Sequence, residues 1–246
     1  MKSLRSVPRE NIFPAPFDVS WFYQPTIRKL LSILQSEGAE VFAVGGCVRD
    51  LILKGHPNDF DVVTDAKPRD ILKIFGRKSR AIGRRFRLVH VKDDGEIIEV
   101  STFRKSPKFS RTKRHKRQLL RGDNEFGSIS EDVFRRDYTI NALYFDVEQK
   151  IVIDYVGGFN DIMKKKLCCI GAPSKRFEED PMRILRAIRF RVALDLTTKD
   201  LTLHELTQHG DLLDKLPAAR VFYELEKLFL RGFAFETFNE LVDLKL

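Results

Sequence analysis

Asp59-Phe60-Asp61 follows shortly after Gly45-Gly46-Cys47-Val48-Arg49-Asp50, and the residue types in these two stretches suit phosphate chemistry. Side chains alternate along a strand, so a strand over residues 59–63 is expected to project Asp59 and Asp61 from one face. Magnesium favours a few carboxylates plus phosphate oxygens, and glycines let backbone N–H groups approach those phosphates. Either motif alone is weak, because turns and surface strands often carry such residues. In this order and at this separation they point to phosphoryl or nucleotidyl transfer, with Gly45, Gly46 and Arg49 on phosphate. A third carboxylate from a neighbouring strand completes such a site. Glu99 is the candidate, because the apolar neighbours in Glu96-Ile97-Ile98-Glu99-Val100 argue against an ordinary surface acid.

Two further stretches carry chemistry-bearing groups. Arg135-Arg136-Asp137-Tyr138-Thr139-Ile140-Asn141-Ala142 reads either as a solvated helix face or as a triphosphate and ribose clamp. In the second reading Arg136 contacts phosphate and Asp137 a sugar hydroxyl. Glu178-Glu179-Asp180-Pro181-Met182-Arg183 opens a helix, with Pro181 suited to its first turn. Arg183, Arg186 and Arg189 then recur within an arc of about 120°, at ~100° per residue. The plainer reading is a basic solvent face over a core of Ile184, Leu185 and Ile188. The sharper one is that Asp180 accepts and Arg183 donates, so that the pair reads the edge of a base.

The surroundings of these residues narrow the function further. The 246 residues can bury one sizeable core, or a core with a smaller appended domain. No apolar run approaches the ~18 residues of a membrane span, and the first residues lack the apolar stretch of a secretory signal. Cys47, Cys168 and Cys169 have neither zinc spacing nor a disulfide framework, which suggests a reducing cytoplasm. A net charge of +9, from 44 Lys and Arg against 35 Asp and Glu, favours a polyanionic partner, nucleic acid ahead of a membrane. Between Arg104 and Arg121 lie Lys105, Lys108, Arg111, Lys113, Arg114, Lys116 and Arg117 with no acid among them. Such a block reads as a solvated loop and also as an arm that tracks phosphates.

The elements that position these groups follow from periodicity and punctuation. Residues 1–20, with Pro8, Pro14 and Pro16, read as an extended tail. Helical spacing from Ile27 ends at Gly38, residues 40–44 form a strand into the glycine turn, and residues 49–53 a short helix. Residues 67–75 are a helix. Residues 85–91 and 96–103 form a hairpin across Asp93-Asp94-Gly95. Residues 130–143 read helical, with Ser130, Glu131 and Asp132 capping. Residues 144–147 and 151–155 form a second hairpin. From Pro173 onward the chain reads helical, with Pro217 starting one helix and Gly232 dividing the last two. The result is an α+β chain, a sheet-rich first part with a helical extension.

In this order, Gly45-Gly46-x-Val48-Arg49-Asp50, Asp59-Phe60-Asp61, Arg135-Arg136-Asp137-Tyr138-Thr139-Ile140-Asn141 and Glu179-Asp180-Pro181-Met182-Arg183 resemble the class II nucleotidyltransferases, over about residues 26–240. These are the bacterial poly(A) polymerases and the CCA-adding tRNA nucleotidyltransferases. The resemblance implies a polymerase-β-like head over 21–170, a helical neck over 171–246, ATP as substrate, and Mg²⁺ in a two-metal mechanism without a nucleic-acid template. Asp59, Asp61 and Glu99 correspond to the metal ligands, and Gly45, Gly46, Arg49 and Arg136 to the triphosphate contacts. Asp137 corresponds to a ribose contact or catalytic acid. Glu179, Asp180 and Arg183 belong to the base-reading helix, with Arg186 and Arg189 alongside.

The stretch Ile82-Gly83-Arg84-Arg85-Phe86-Arg87-Leu88-Val89-His90-Val91, and likewise residues 120–129, resemble the poly(A) polymerase branch. The expectation is therefore AMP addition to RNA 3′ ends, with CCA addition as the alternative and a non-catalytic RNA-binding remnant as a third. Arg84, Arg85, Arg87, Lys113, Arg114, Lys116 and Arg117 are the expected RNA contacts, since phosphate contacts suit many different 3′ ends. The family normally continues through a larger helical RNA-binding body, so that body is expected to be missing here.

Overall fold

The computed structural model describes residues 11–53, 55–57, 59–83, 88–105, 125–230 and 232–246. By their contacts the residues fall into two units, 1–136 with 141–157, and 137–140 with 158–246. The sequence expectation places this boundary at 170. Residues 158–170 instead group with the helices, because α5 (Gly158–Met163) and the segment after it pair with residues 137–140 and 197: Thr139 N–H donates to the Cys168 carbonyl and Leu167 N–H to the Thr197 carbonyl.

The first unit is built on one eight-stranded sheet of β1 (Ile12–Pro14), β2 (Val41–Val44), β3 (Asp61–Thr64), β4 (Ser79–Ile82), β5 (Leu88–Asp93), β6 (Glu96–Thr102), β7 (Leu143–Asp146) and β8 (Ile151–Asp154), in the order β1-β8-β7-β2-β3-β6-β5-β4. Every pairing is antiparallel except β3 with β6. β2 and β7 are buried along their whole length, so both faces of the sheet's centre are covered. Helices α1 (Pro25–Ser36), α2 (Gly46–Ile52), α3 (Pro68–Phe75) and α4 (Ile129–Arg135) belong to this unit. The Asp94-Gly95 hairpin turn has φ of 46° and 86°, the doubly positive geometry that suits the twist of the flanking strands.

Three expectations about elements are corrected. The carboxylate strand begins at Asp61, not at Asp59. Its partner β2 ends at Val44, where Gly45 takes φ 79° and leaves the pleat, so residues 59 and 60 have no β2 residue opposite them. The helix expected over 130–143 stops at Arg135. Arg136 is extended at φ −65°, ψ 166°, and the Asp137 side chain accepts the Tyr138 N–H at 2.7 Å, a local bond that competes with a continuing helix. Tyr144 and its neighbours then join the sheet, where β-branched and aromatic residues fit the pleat. Within the stretch read as a tail, Ile12–Pro14 adds an edge strand on β8, and residues Val19–Tyr23 form a 3₁₀ turn.

The second unit carries α5, α6 (Pro173–Glu179), α7 (Met182–Ala193), α8 (Asp200–Gln208), α9 (Ala218–Phe229) and α10 (Ala234–Asp243). Met182, Leu185 and Ile188 of α7 pack with Leu228 of α9 as its buried centre, with Val221, Leu225 and Leu241 packed around it. Those α7 positions recur at i, i+3 and i+6, the stripe of a helix buried along one side. Pro217 caps the start of α9, and Gly232 takes φ 90° between the last two helices.

Candidate nucleotide site

In the sheet-bearing unit the glycine turn is the focus. Gly45 caps α2 with φ 79° and ψ −128°, a conformation that side chains rarely adopt. A methyl group built there would lie 3.7 Å from Nη1 of Arg136 and 3.8 Å from Oδ2 of Asp61. A guanidinium and a carboxylate therefore meet at the backbone of one glycine. The same construction at Gly46 falls 3.7 Å from Nη2 of Arg49. Arg49, 11% exposed, donates from Nε to Asp50 at 2.8 Å and from Nη1 to Oδ1 of Asn141 at 2.6 Å.

Arg136 is held by a buried network. Its Nε donates to the Tyr144 hydroxyl at 2.8 Å and to Oδ2 of Asp132 at 3.1 Å, and Nη1 donates to the Asn141 carbonyl at 3.3 Å. The Tyr144 hydroxyl in turn donates to Oδ2 of Asp132 at 2.8 Å. Oδ1 of the same carboxylate accepts the Arg104 N–H at 3.2 Å. Burial raises the Tyr144 pKa well above its usual range, and the neighbouring Asp132 carboxylate adds to the rise against the pull of Arg136. The phenol therefore stays a donor. Asp132 and Tyr144 were not recognised as site residues in the sequence. The only signal was the spacing of Asp132 and Arg136, four apart at the end of a helix.

Asp61 opens β3 partly buried, and Asp59 precedes it exposed, while Phe60 between them packs edge-on against Phe22 at 5.4 Å. Glu99 stands opposite Asp61 in the parallel β3–β6 register, which puts the two side chains on one face of the sheet. The Glu99 carboxylate is 51% exposed and bonds Nε2 of His90 at 3.1 Å. Its apolar neighbours therefore did not signal burial: Ile98 and Val100 point into the core while Ile97 is itself exposed. Among the described residues no three carboxylate, histidine or cysteine groups are gathered closely enough to hold a metal ion. Cys47, on α2, is buried beside Asp61, and burial first and that carboxylate second push its thiol up to about 12, so it is no nucleophile.

In the helical unit each arginine of α7 has an acid partner. Arg183 donates to Glu179 at 3.0 Å and to the Arg176 carbonyl at 2.7 Å. Arg186 pairs with Asp137 at 2.6 Å, Arg189 with Glu224 at 2.6 Å and Arg191 with Glu240 at 2.9 Å. Burial opposes the charge of Arg186, yet Asp137 and then Glu224 outweigh it and raise its pKa. These residues do not form the basic solvent face of the plainer sequence reading. Asp137, which both sequence readings aimed at solvent or at a ribose, is a buried partner of α7. Asp180 sits between α6 and α7, and Nη2 of Arg220 on α9 bonds both of its oxygens at 3.2 Å. No local pattern marks Arg220 or Glu224, whose partners lie 40 and 35 residues away.

The expected RNA contacts Arg84, Arg85, Arg87, Lys113, Arg114, Lys116 and Arg117 lie outside the described residues.

A mixed sheet with its acids beside a glycine turn, followed by helices, is the polymerase-β-like nucleotidyltransferase fold. A solved structure of the Bacillus stearothermophilus CCA-adding enzyme in complex with CTP superimposes with a TM-score of 0.76 at 31% identity, over 89% of this chain and 52% of that one. The chain belongs to the family of the poly A polymerase head domain, whose model matches residues 41–168. A second family model, "Probable RNA and SrmB-binding site of polymerase A", matches residues 197–246. Poly(A) polymerase I of Salmonella typhi is 43% identical over 96% of this chain and 50% of its own length. A CCA-adding enzyme of Limosilactobacillus reuteri is 37% identical over 82% of this chain and 49% of its own. The chain thus spans about half the length of these relatives. None of its described helices is long and apolar enough to cross a membrane.

Proposed function

We propose that this chain carries the catalytic part of a template-independent poly(A) polymerase, which adds AMP from ATP to RNA 3′ ends and releases pyrophosphate. The observation that carries the reading is the meeting of Arg136 and Asp61 at the Gly45 backbone. A cation for phosphate and an acid for metal stand side by side where the main chain can approach closely. Similarity to poly(A) polymerases over 96% of the chain favours adenylate.

In this reading Arg49 and Arg136 hold the triphosphate, and the Gly45-Gly46 turn lets it lie against the backbone. The terminal RNA hydroxyl attacks the α-phosphate in line, forming the new phosphodiester as the bond to the β-phosphate oxygen breaks. Fixing both reactants is the larger part of the catalysis. Asp180 and Arg183 read the base, one accepting and one donating.

Asp59, Asp61 and Glu99 are not gathered into a three-carboxylate cage, but Mg²⁺ needs only one or two carboxylates when substrate phosphates supply the other oxygens; these three would be its protein ligands, Asp61 and Glu99 being register partners on one sheet face. When bound, such ions lower the pKa of an attacking hydroxyl and stabilise a leaving oxygen. RNA is the partner that the net charge favours, and the three free cysteines suit the cytoplasm.

Primer extension with each nucleotide separately, on a generic RNA and on a tRNA lacking its end, tests the proposal. The expected result is extension by ATP on both RNAs. Incorporation of CTP and ATP confined to the tRNA would establish CCA addition instead. Salt-sensitive RNA binding without nucleotide binding would mark a non-catalytic RNA-binding protein.

A further inference from the structure

The two arginines at the glycine turn are tied to one residue, Asn141. Its side-chain Oδ1 accepts from Nη1 of Arg49 at 2.6 Å, and its main-chain carbonyl accepts from Nη1 of Arg136 at 3.3 Å. That carbonyl lies 3.8 Å from a methyl group built at Gly45. Asn141 is 6% exposed and ends the 3₁₀ turn Thr139–Asn141, just before β7. Its backbone is therefore fixed by the sheet. Two guanidiniums brought to one turn repel each other, and each has its own acid, Asp50 for Arg49 and Asp132 for Arg136. Asn141 bonds both guanidiniums, and as a neutral acceptor it cancels neither charge.

The geometry points to Asn141 as a positioning residue for triphosphate binding, setting the aim of Arg49 and its spacing from Arg136 without touching the reacting atoms. This rests on the nucleotide-site reading above. An aspartate here would also accept from Arg49, but it would add a negative charge beside the phosphates. An alanine would remove the Asn141 acceptor and keep the pull of Asp50, which draws the guanidinium back along its own helix. Asn141 therefore bears on how well the site distinguishes a triphosphate from a monophosphate, and not on how it reads the base.

The test is calorimetric binding of ATP and of AMP, each with Mg²⁺, to the wild-type chain, Asn141→Ala, Arg49→Ala and the double variant, with thermal midpoints alongside. Asn141→Ala is expected to weaken ATP by about tenfold or more, the loss of one hydrogen bond to a charged group, and to leave AMP unchanged. The double variant is expected to bind ATP no worse than Arg49→Ala, because the asparagine acts through that arginine. Equal weakening of ATP and AMP, or additive losses in the double variant, would overturn the proposal. If Asn141→Ala does not fold, Asn141→Asp replaces it, and unchanged ATP affinity in that variant overturns the proposal equally. A wild-type chain that binds no ATP would instead overturn the nucleotide-site reading. An Arg49→Ala variant that loses ATP while Asn141→Ala keeps it would overturn only the role of Asn141.

Discussion

Arg220 closes on Asp180 from forty residues further along the chain, one Nη2 nitrogen 3.2 Å from each carboxylate oxygen. The same carboxylate accepts the Met182 N–H at 3.4 Å. Asp180 is thus held from both sides at the break between α6 and α7, which fixes its direction. A pre-aimed acceptor discriminates bases better than a swinging one, because the wrong base then meets a group left unpaired.

Replacing Arg220 by alanine removes one side of that grip. Selection of ATP over CTP in single-nucleotide extension is expected to fall by about tenfold, the scale of one charged hydrogen bond. Arg220→Lys, which keeps the charge but has a different reach and geometry, should fall between the two. An unchanged ATP to CTP ratio in Arg220→Ala would show that Asp180 is aimed by its own helix junction alone.

The Asp132–Tyr144–Arg136 network makes a stability prediction. The Asp132 side chain is 6% exposed and bonds both Arg136 and Tyr144. Asp132→Ala takes one carboxylate from a partly buried guanidinium, and breaking a buried pair costs about 3–5 kcal/mol. Tyr144→Phe removes one hydroxyl between two retained charges and should cost about 1–3 kcal/mol. Urea unfolding of the two variants checks the order. Equal midpoints would mean that losing the carboxylate costs no more than losing the hydroxyl, against the expected order.

Gly45→Ala tests the turn itself. Alanine fits the space, since the nearest atoms are 3.7 Å away, but φ 79° with ψ −128° is strained for any side chain. The expected cost is about 1–3 kcal/mol of stability. ATP affinity should fall as well, because a relaxed turn moves its backbone away from Arg136 and Asp61. A variant with wild-type stability and affinity would mean that the turn relaxes without disturbing the site.

Residues that contribute through their own backbone or through near neighbours were legible in the sequence. The Gly45-Gly46 turn, the Asp94-Gly95 hairpin and the Pro217 and Gly232 helix limits all act locally. What the sequence hid was settled by distant chain. Asp59 is off the strand, past the point where β2 ends at Val44, and no pattern around residue 59 records where β2 ends. The arginines of α7 look alike on a helical wheel, yet each is fixed by a different acid: Asp137 lies 49 residues from Arg186, and Glu224 lies 35 from Arg189. Glu99 shows both sides. Its apolar neighbours suggest burial, yet it is half exposed, and the parallel register of β3 and β6 is what sets it opposite Asp61.

That register makes the last prediction specific. If Asp61 and Glu99 share a metal with Asp59, the three positions should differ in how their loss responds to metal concentration. Asp61 starts the strand and lies at the glycine turn, so Asp61→Asn should abolish extension at every Mg²⁺ concentration. Glu99→Gln removes an exposed carboxylate that also bonds His90, so its extension should be weakened by about tenfold or more, within the range for a lost ligand or its support. Raising Mg²⁺ should recover part of it. Asp59→Ala with Asp61→Ala should match Asp61→Asn, and chelation with EDTA should reproduce both in the wild-type chain. Extension that survives the double substitution, or survives EDTA, would remove these acids from the reaction while leaving the arginines at the turn free to bind nucleotide.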